Sequence, residues 1–270
     1  MSSTLGRVSL AVQGGTSPPI NRCIYCGTSA PPLTDEHIIP EGIGGKMILS
    51  RASCKTCARE TCRFETIVQQ HMMWPLRRLV GLSSPKRKPK PQIRIPSAIG
   101  REGPVHTQWR EMNPDEAGLK AVIPTCRHIA GLLTGAPKEA PPQVGFITAA
   151  VREHARGWDE LGNVILADFD AYFRMLAKIA HAQTVADAGL EAFEPFLNDF
   201  ILGREELSSR YIGAAINNEP LLAQPYLHWA KMSQGFGGIL DGLLIVRVHL
   251  FASLGLPAYD IVTGRWRRSP

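Results

Sequence analysis

The chain has 270 residues, 44% of them hydrophobic, which is enough for one or two domains with a real core. Its net charge is +6, yet residues 1–92 carry 13 Lys/Arg against 5 Asp/Glu while residues 93–270 carry 17 against 19. All the positive excess therefore lies in the first third, which points to a polyanion as its partner. No run approaches the roughly 20 apolar residues of a membrane span, and the first 20 residues lack the charged and apolar regions of a secretory leader. The expectations are a reducing, cytoplasmic location and no membrane partner.

In chain order, residues 1–19 are rich in Ser, Gly, Thr and Pro and read as a flexible N-terminus, with a short strand expected over Val8–Val12. The turn Cys23-Ile-Tyr-Cys26 follows, closed by Gly27. Leu33–Ile39 reads as an extended segment ended by Pro40, which has no N–H to give to a ladder. Gly42, Gly44 and Gly45 form a permissive turn, and Met47–Leu49 reads as the returning strand. A second turn, Cys54-Lys-Thr-Cys57, leads into a helix expected over Arg59–Met73, where Phe64, Ile67, Val68 and Met72 recur at helical spacing. Pro75 ends it, and Leu76–Leu82 adds a second helical piece. Residues 20–82 thus read as one compact unit of strand, turn, strand and helix.

Residues 83–91 contain Pro85-Lys-Arg-Lys-Pro-Lys-Pro91, four cations and three prolines, a basic extended linker that could either touch phosphate or simply be solvated. Residues 92–270 read as a larger α+β domain. Strands are expected at Gln92–Ile95 and Gln143–Thr148, and a long helix at Leu166–Ala188 with Phe169, Tyr172, Phe173, Leu176 and Ala180 on its apolar face. Arg174, Lys178 and His181 form a polar stripe on another face, expected to be solvated. Gly189 is placed to cap this helix, and Ala192–Leu202 reads as a further helix. Leu243–Phe251 and Ala258–Val262 read as one antiparallel hairpin. The fold class is α+β.

Four cysteines in two CxxC turns are a metal-ligand pattern in a reducing compartment. Cys23, Cys26, Cys54 and Cys57 offer tetrahedral zinc four thiolates, and the 27 residues between the turns leave room for a hairpin. Cys62 and Cys126 have no such partners and read as small buried apolar residues.

Inside the zinc loop lies Glu36-His37, followed by Ile-Ile-Pro40 and Gly44-Gly45. The whole pattern, CxxC, acid–His–Ile–x–Pro, Gly-Gly, CxxC, resembles the zinc-knuckle form of the HNH endonucleases, the ββα-metal nucleases, over roughly residues 20–75. That resemblance implies a small zinc-bound ββα-metal module that hydrolyses phosphodiester bonds in DNA. It implies His37 as general base, a role suited to an imidazole near neutral pH, and Glu36 as a ligand of a catalytic Mg²⁺ or Mn²⁺. The family usually has Asn or His directly after the last cysteine as a second metal ligand; here that position is Ala58. The usual central Asn falls at Leu49. Glu65, two turns farther along the helix, is the candidate replacement ligand, against a plainer reading in which Glu60 and Glu65 make surface pairs with neighbouring arginines. Lys46, Arg51, Lys55, Arg59 and Arg63, with Arg77 and Arg78, are candidates for phosphate contact. A homodimer is one arrangement open to such a protein. Two other readings stand beside the nuclease: a zinc-stabilised nucleic-acid-binding module that has lost cleavage, favoured by Ala58, and a module that only positions the larger C-terminal region.

Overall fold

The computed structural model describes residues 14–82, 93–99, 106–112, 120–135, 143–150, 168–206, 209–216 and 227–267. The expected strand at Val8–Val12 and the linker at 83–91 lie outside them.

The N-terminal unit begins with β1 (Gly15–Thr16), β2 (Leu33–His37) and β3 (Met47–Cys54), which form a three-stranded sheet in the order β1-β3-β2. β1 runs parallel to β3, and β2 runs antiparallel to it. β3 is longer than the expected Met47–Leu49 because it runs on into the second cysteine turn. The register jumps between Thr34 and Glu36: Thr34 faces Ser53 while Glu36 faces Leu49. Arg51 takes a left-handed backbone (φ 51°) in this irregularity. Asp35 holds it in place, accepting hydrogen bonds from the Arg51 amide (2.9 Å) and the Ser50 hydroxyl (3.2 Å). A bulge re-aims the side chains beside it, and here Glu36 turns inward and is buried.

Between β2 and β3 the chain makes a short 3₁₀ turn (Glu41–Ile43) that ends on Gly44 at φ 96°. A Cβ on Gly45 would lie 1.7 Å from the Ile39 carbonyl oxygen, so only glycine allows this close crossing. α1 (Lys55–Ile67) then starts directly from Cys54 and continues through a π-helical turn over Val68–Met72. α2 (Trp74–Leu79) follows at Pro75, where the sequence places a break.

Two antiparallel hairpins come next, β4 (Ile93–Ile99) with β5 (His106–Met112), and β6 (Lys120–Cys126) with β7 (Val144–Ala150), the latter pair flanking the short α3 (Gly131–Thr134). α4 (Phe169–Ala188) is capped by Asp168, whose carboxylate accepts from the Ala171 amide at 2.9 Å. Gly189 closes it at φ 87°. The expected helix over Ala192–Leu202 is instead a 3₁₀ turn, the strand β8 (Phe193–Pro195) and the short α5 (Asn198–Ile201); Pro195 has no N–H for a helix interior. β9 (Ile212–Ala214), β10 (Trp229–Gln234), β11 (Leu243–His249) and β12 (Ala258–Trp266) complete a sheet in the order β10-β11-β12-β8, with β9 pairing along another stretch of β12. The β11–β12 hairpin stands where the sequence places it.

One core runs through both halves. Its buried side chains extend from Cys23, Ile38 and Phe64 in the N-terminal unit to Tyr172, Leu176, Val246 and Ile261 in the C-terminal region. α4 lies at its centre, buried around nearly its whole circumference from Ala171 to Val185. Such a helix is hydrophobic on all sides except where a polar group finds a partner.

Candidate functional site

The four cysteines converge. The two CxxC turns bring the sulfurs of Cys23, Cys26, Cys54 and Cys57 within 4.8 Å of one another. The first turn is tied by the Gly27 amide to the Cys23 carbonyl (2.9 Å), and the second is the start of α1. Cys26 Sγ and Cys54 Sγ are 3.7 Å apart. Four sulfurs at about 2.3 Å from a tetrahedral zinc lie about 3.8 Å from one another, so the cluster fits that ion. The electrostatics agree. Burial pushes the Cys23 and Cys57 thiols up, and neighbouring sulfurs push Cys57 further. Cys54 resists its own burial and falls to about 7 through hydrogen bonds from Cys57 and the adjacent thiols. Such a cluster cannot carry several thiolates together without a cation among them. Zinc here would hold the hairpin to the start of α1.

Cys62 is exposed on α1, so it is not the small core residue expected, whereas Cys126 is partly buried against the core, where burial pushes its thiol up. Cys62 faces away from the core because the helix buries Cys57, Thr61 and Phe64 instead.

Glu36 and His37 close β2; Glu36 is buried, while His37, the next residue along the strand, is only partly buried. Glu65 approaches from the third turn of α1. The surface-pair reading holds for Glu60, which contacts Arg63 at 3.1 Å and Arg59 at 3.9 Å. It fails for Glu65, whose side chain is 18% exposed and turned inward. Ala58 offers no ligand atom, and Leu49, at the usual asparagine position, is a core residue opposite Glu36.

A residue from the distant α4 joins the acid pair. Lys178 Nζ is 2.6 Å from Glu36 Oε1 and 2.9 Å from Glu65 Oε1, with the lysine side chain only 1% exposed. The ammonium also donates to the His37 carbonyl oxygen. The Glu65 contact meets the distance of an ion pair without the alignment of a hydrogen bond. Burial alone would lower the lysine's pKa, but the two carboxylates outweigh it and raise it. Burial raises the Glu65 carboxyl, with Lys178 opposing and the charge of Glu36 adding to the rise. The Tyr25 phenol behind them is pushed well up by burial and by both carboxylates.

The polar stripe on α4 is therefore not a solvated face. Lys178 and His181 are fully buried, and only Arg174 keeps some exposure, paired with Asp170 at 2.5 Å. His181 Nε2 lies 2.8 Å from the Ile24 carbonyl oxygen in the first cysteine turn. From just before β10, His228 Nε2 lies 2.6 Å from the Ile43 carbonyl oxygen in the glycine turn, while its Nδ1 accepts from the Phe251 amide at 2.9 Å. Three C-terminal side chains thus grip three main-chain oxygens of the N-terminal unit. None of the three was marked by a motif; the signal available was the apolar circumference of α4, which leaves no solvated side for Lys178 or His181.

A Mg²⁺ or Mn²⁺ on Glu36 and Glu65 does not fit beside Lys178. Such an ion takes carboxylate oxygens at about 2.1 Å, and here both carboxylates already face an ammonium that is hydrogen-bonded behind them. Glu36 and Glu65, the candidate replacement for the ligand missing at Ala58, do come together, but on a cation supplied by the chain.

Of the basic candidates, Lys46, Arg51, Lys55, Arg59 and Arg63 are exposed, on the hairpin and the outer face of α1. Arg77 is half-buried and directed to the Gln69 carbonyl (3.3 Å); the side chain of Arg78 lies outside the described residues. No described helix is long and apolar enough to cross a membrane.

No curated protein and no solved structure matches the chain. Residues 23–66, the segment from the first cysteine to just beyond Glu65, match the family described as HNH endonuclease.

Proposed function

We propose that the N-terminal unit is a nuclease that hydrolyses phosphodiester bonds in DNA, with His37 as general base. The observation that carries this reading is the position of His37. It ends β2 within the four-cysteine frame and is only partly buried, beside an acid pair that α1 and β2 bring together. The imidazole would take a proton from water as the water oxygen attacks phosphorus and the bond to the 3′ oxygen breaks, the departing 3′ oxygen taking a proton from solvent water. Lys46, Arg51, Lys55, Arg59 and Arg63 would hold the phosphate backbone without reading sequence. Zinc would shape the frame and take no part in the chemistry. No step is assigned to a second metal.

The test is nicking of supercoiled plasmid by the zinc-loaded protein beside a His37→Ala control, with and without added Mg²⁺ or Mn²⁺. Loss of nicking in the control supports the reading, and equal behaviour of both proteins ends it. A second reading, nucleic-acid binding without cleavage, is favoured by the ammonium on the acid pair and by Ala58. It expects gel-shift binding with no nicking from either protein.

A further inference from the structure

The acid pair of the N-terminal unit is filled from within the chain. Lys178 Nζ has three oxygen neighbours: Glu36 Oε1, Glu65 Oε1 and the His37 carbonyl. They come from β2 and α1, and all three face one point. A compact positive charge surrounded only by oxygens from separate elements is the environment of a hard cation. The ammonium cannot step aside at low cost. Residues Met175 to Val185 of α4 are buried without a break, and the lysine has no path to solvent. A divalent ion drawing on the same carboxylates would face a like charge within a few ångströms in a poorly solvated site.

We propose that Lys178 is the permanent cation of this site: its ammonium takes the place of a divalent ion between Glu36 and Glu65, and among the described residues the four-cysteine cluster alone holds a metal tightly. The proposal rests on reading Glu36 and Glu65 as the acid pair of the nuclease frame, but not on cleavage. The lysine is a positioning residue. It neutralises two buried carboxylates and fixes the main chain at His37, and it is too deeply buried to meet a phosphate.

The experiment compares zinc-loaded wild type, Lys178→Met and Lys178→Met/Glu36→Gln, titrated with Mn²⁺ and read by electron paramagnetic resonance and by thermal unfolding. Wild type should bind no stoichiometric Mn²⁺, and its midpoint should not respond to the ion. Lys178→Met should lose roughly 6–12 °C, the cost of unpaired buried carboxylates. It should gain one Mn²⁺ site and recover a large part of the loss when the ion is present. The double variant should lose that site. A lysine that served only as a structural salt bridge would give no such ion response. The proposal is overturned if wild type binds one Mn²⁺ that Glu36→Gln abolishes, or if Lys178→Met gains no site. Should Lys178→Met fold only with Mn²⁺, that supports the proposal, and failure to fold even with the ion counts against it. The wild-type titration decides independently of any variant. Failure of the nuclease reading would appear elsewhere, as nicking unchanged in His37→Ala.

Discussion

Acidification should loosen this protein through His228 in a way that a single substitution can isolate. The imidazole is 5% exposed and bridges the Ile43 carbonyl and the Phe251 amide as a neutral ring. Its pKa is lowered to about 4, chiefly by burial and further by the neighbouring His249, with the bond to Ile43 opposing. An unfolded histidine titrates near 6.5. Between those values the unfolded chain binds a proton that the folded chain refuses, so stability is complete above about pH 6.5 and falls as pH drops toward 4. Each pKa unit is about 1.4 kcal/mol, so the gap of about 2.5 units corresponds to about 3.5 kcal/mol. Zinc thiolates also protonate in acid, so the informative quantity is a difference. Urea unfolding of wild type and His228→Gln should be followed from pH 7.5 to 4.5. Glutamine can keep the bond to Ile43 but takes up no proton. The variant is expected to be less stable at pH 7.5 and to lose stability less steeply below 6.5, so the two curves converge by a few kcal/mol. Parallel curves would refute the reasoning.

Other outcomes follow from the same structure. Cys54→Ser should lose zinc by metal analysis and unfold the N-terminal hairpin, because small zinc units draw their folding free energy from the metal; a metal-free variant with unchanged melting would contradict this. Gly45→Ala should cost roughly 1–3 kcal/mol, since its Cβ would lie 1.7 Å from the Ile39 carbonyl oxygen and the glycine turn must shift; urea unfolding measures it. Replacing Arg51, Lys55 and Arg59 together by Gln should weaken DNA binding and reduce the slope of log affinity against log salt by about 3, at about 0.9 per lost phosphate contact. An unchanged slope would remove those residues from the interface.

The parts of the site that were legible in the sequence are those whose partners lie near in the chain. Two CxxC turns specify four ligands through local geometry, and Glu36-His37 sits between them. The β11–β12 hairpin was equally plain from its two apolar runs. Lys178 was not legible as a partner of Glu36, because 142 positions separate them and no local rule links them. A polar stripe on an amphipathic helix is ordinarily its wet face. On α4 that rule misled, because alanines and large apolar residues surround the stripe and leave the helix no wet face at all. The helix expected at Ala192–Leu202 failed for a local reason that could have been read, the proline at 195. Cys62 failed for a tertiary one: α1 turns its neighbours Cys57, Thr61 and Phe64 to the core.

The three grips that Lys178, His181 and His228 hold on the N-terminal unit all end on carbonyl oxygens, at His37, Ile24 and Ile43. A carbonyl is present whatever side chain its residue carries. The receiving positions can therefore change identity and still be held, whereas the gripping positions must keep a side chain that carries a donor to the same point. For His37 this separates two properties that usually travel together. Replacing it by alanine removes the imidazole and leaves its main-chain oxygen for the lysine to grip, so activity lost in that variant can be assigned to the ring rather than to a displaced strand.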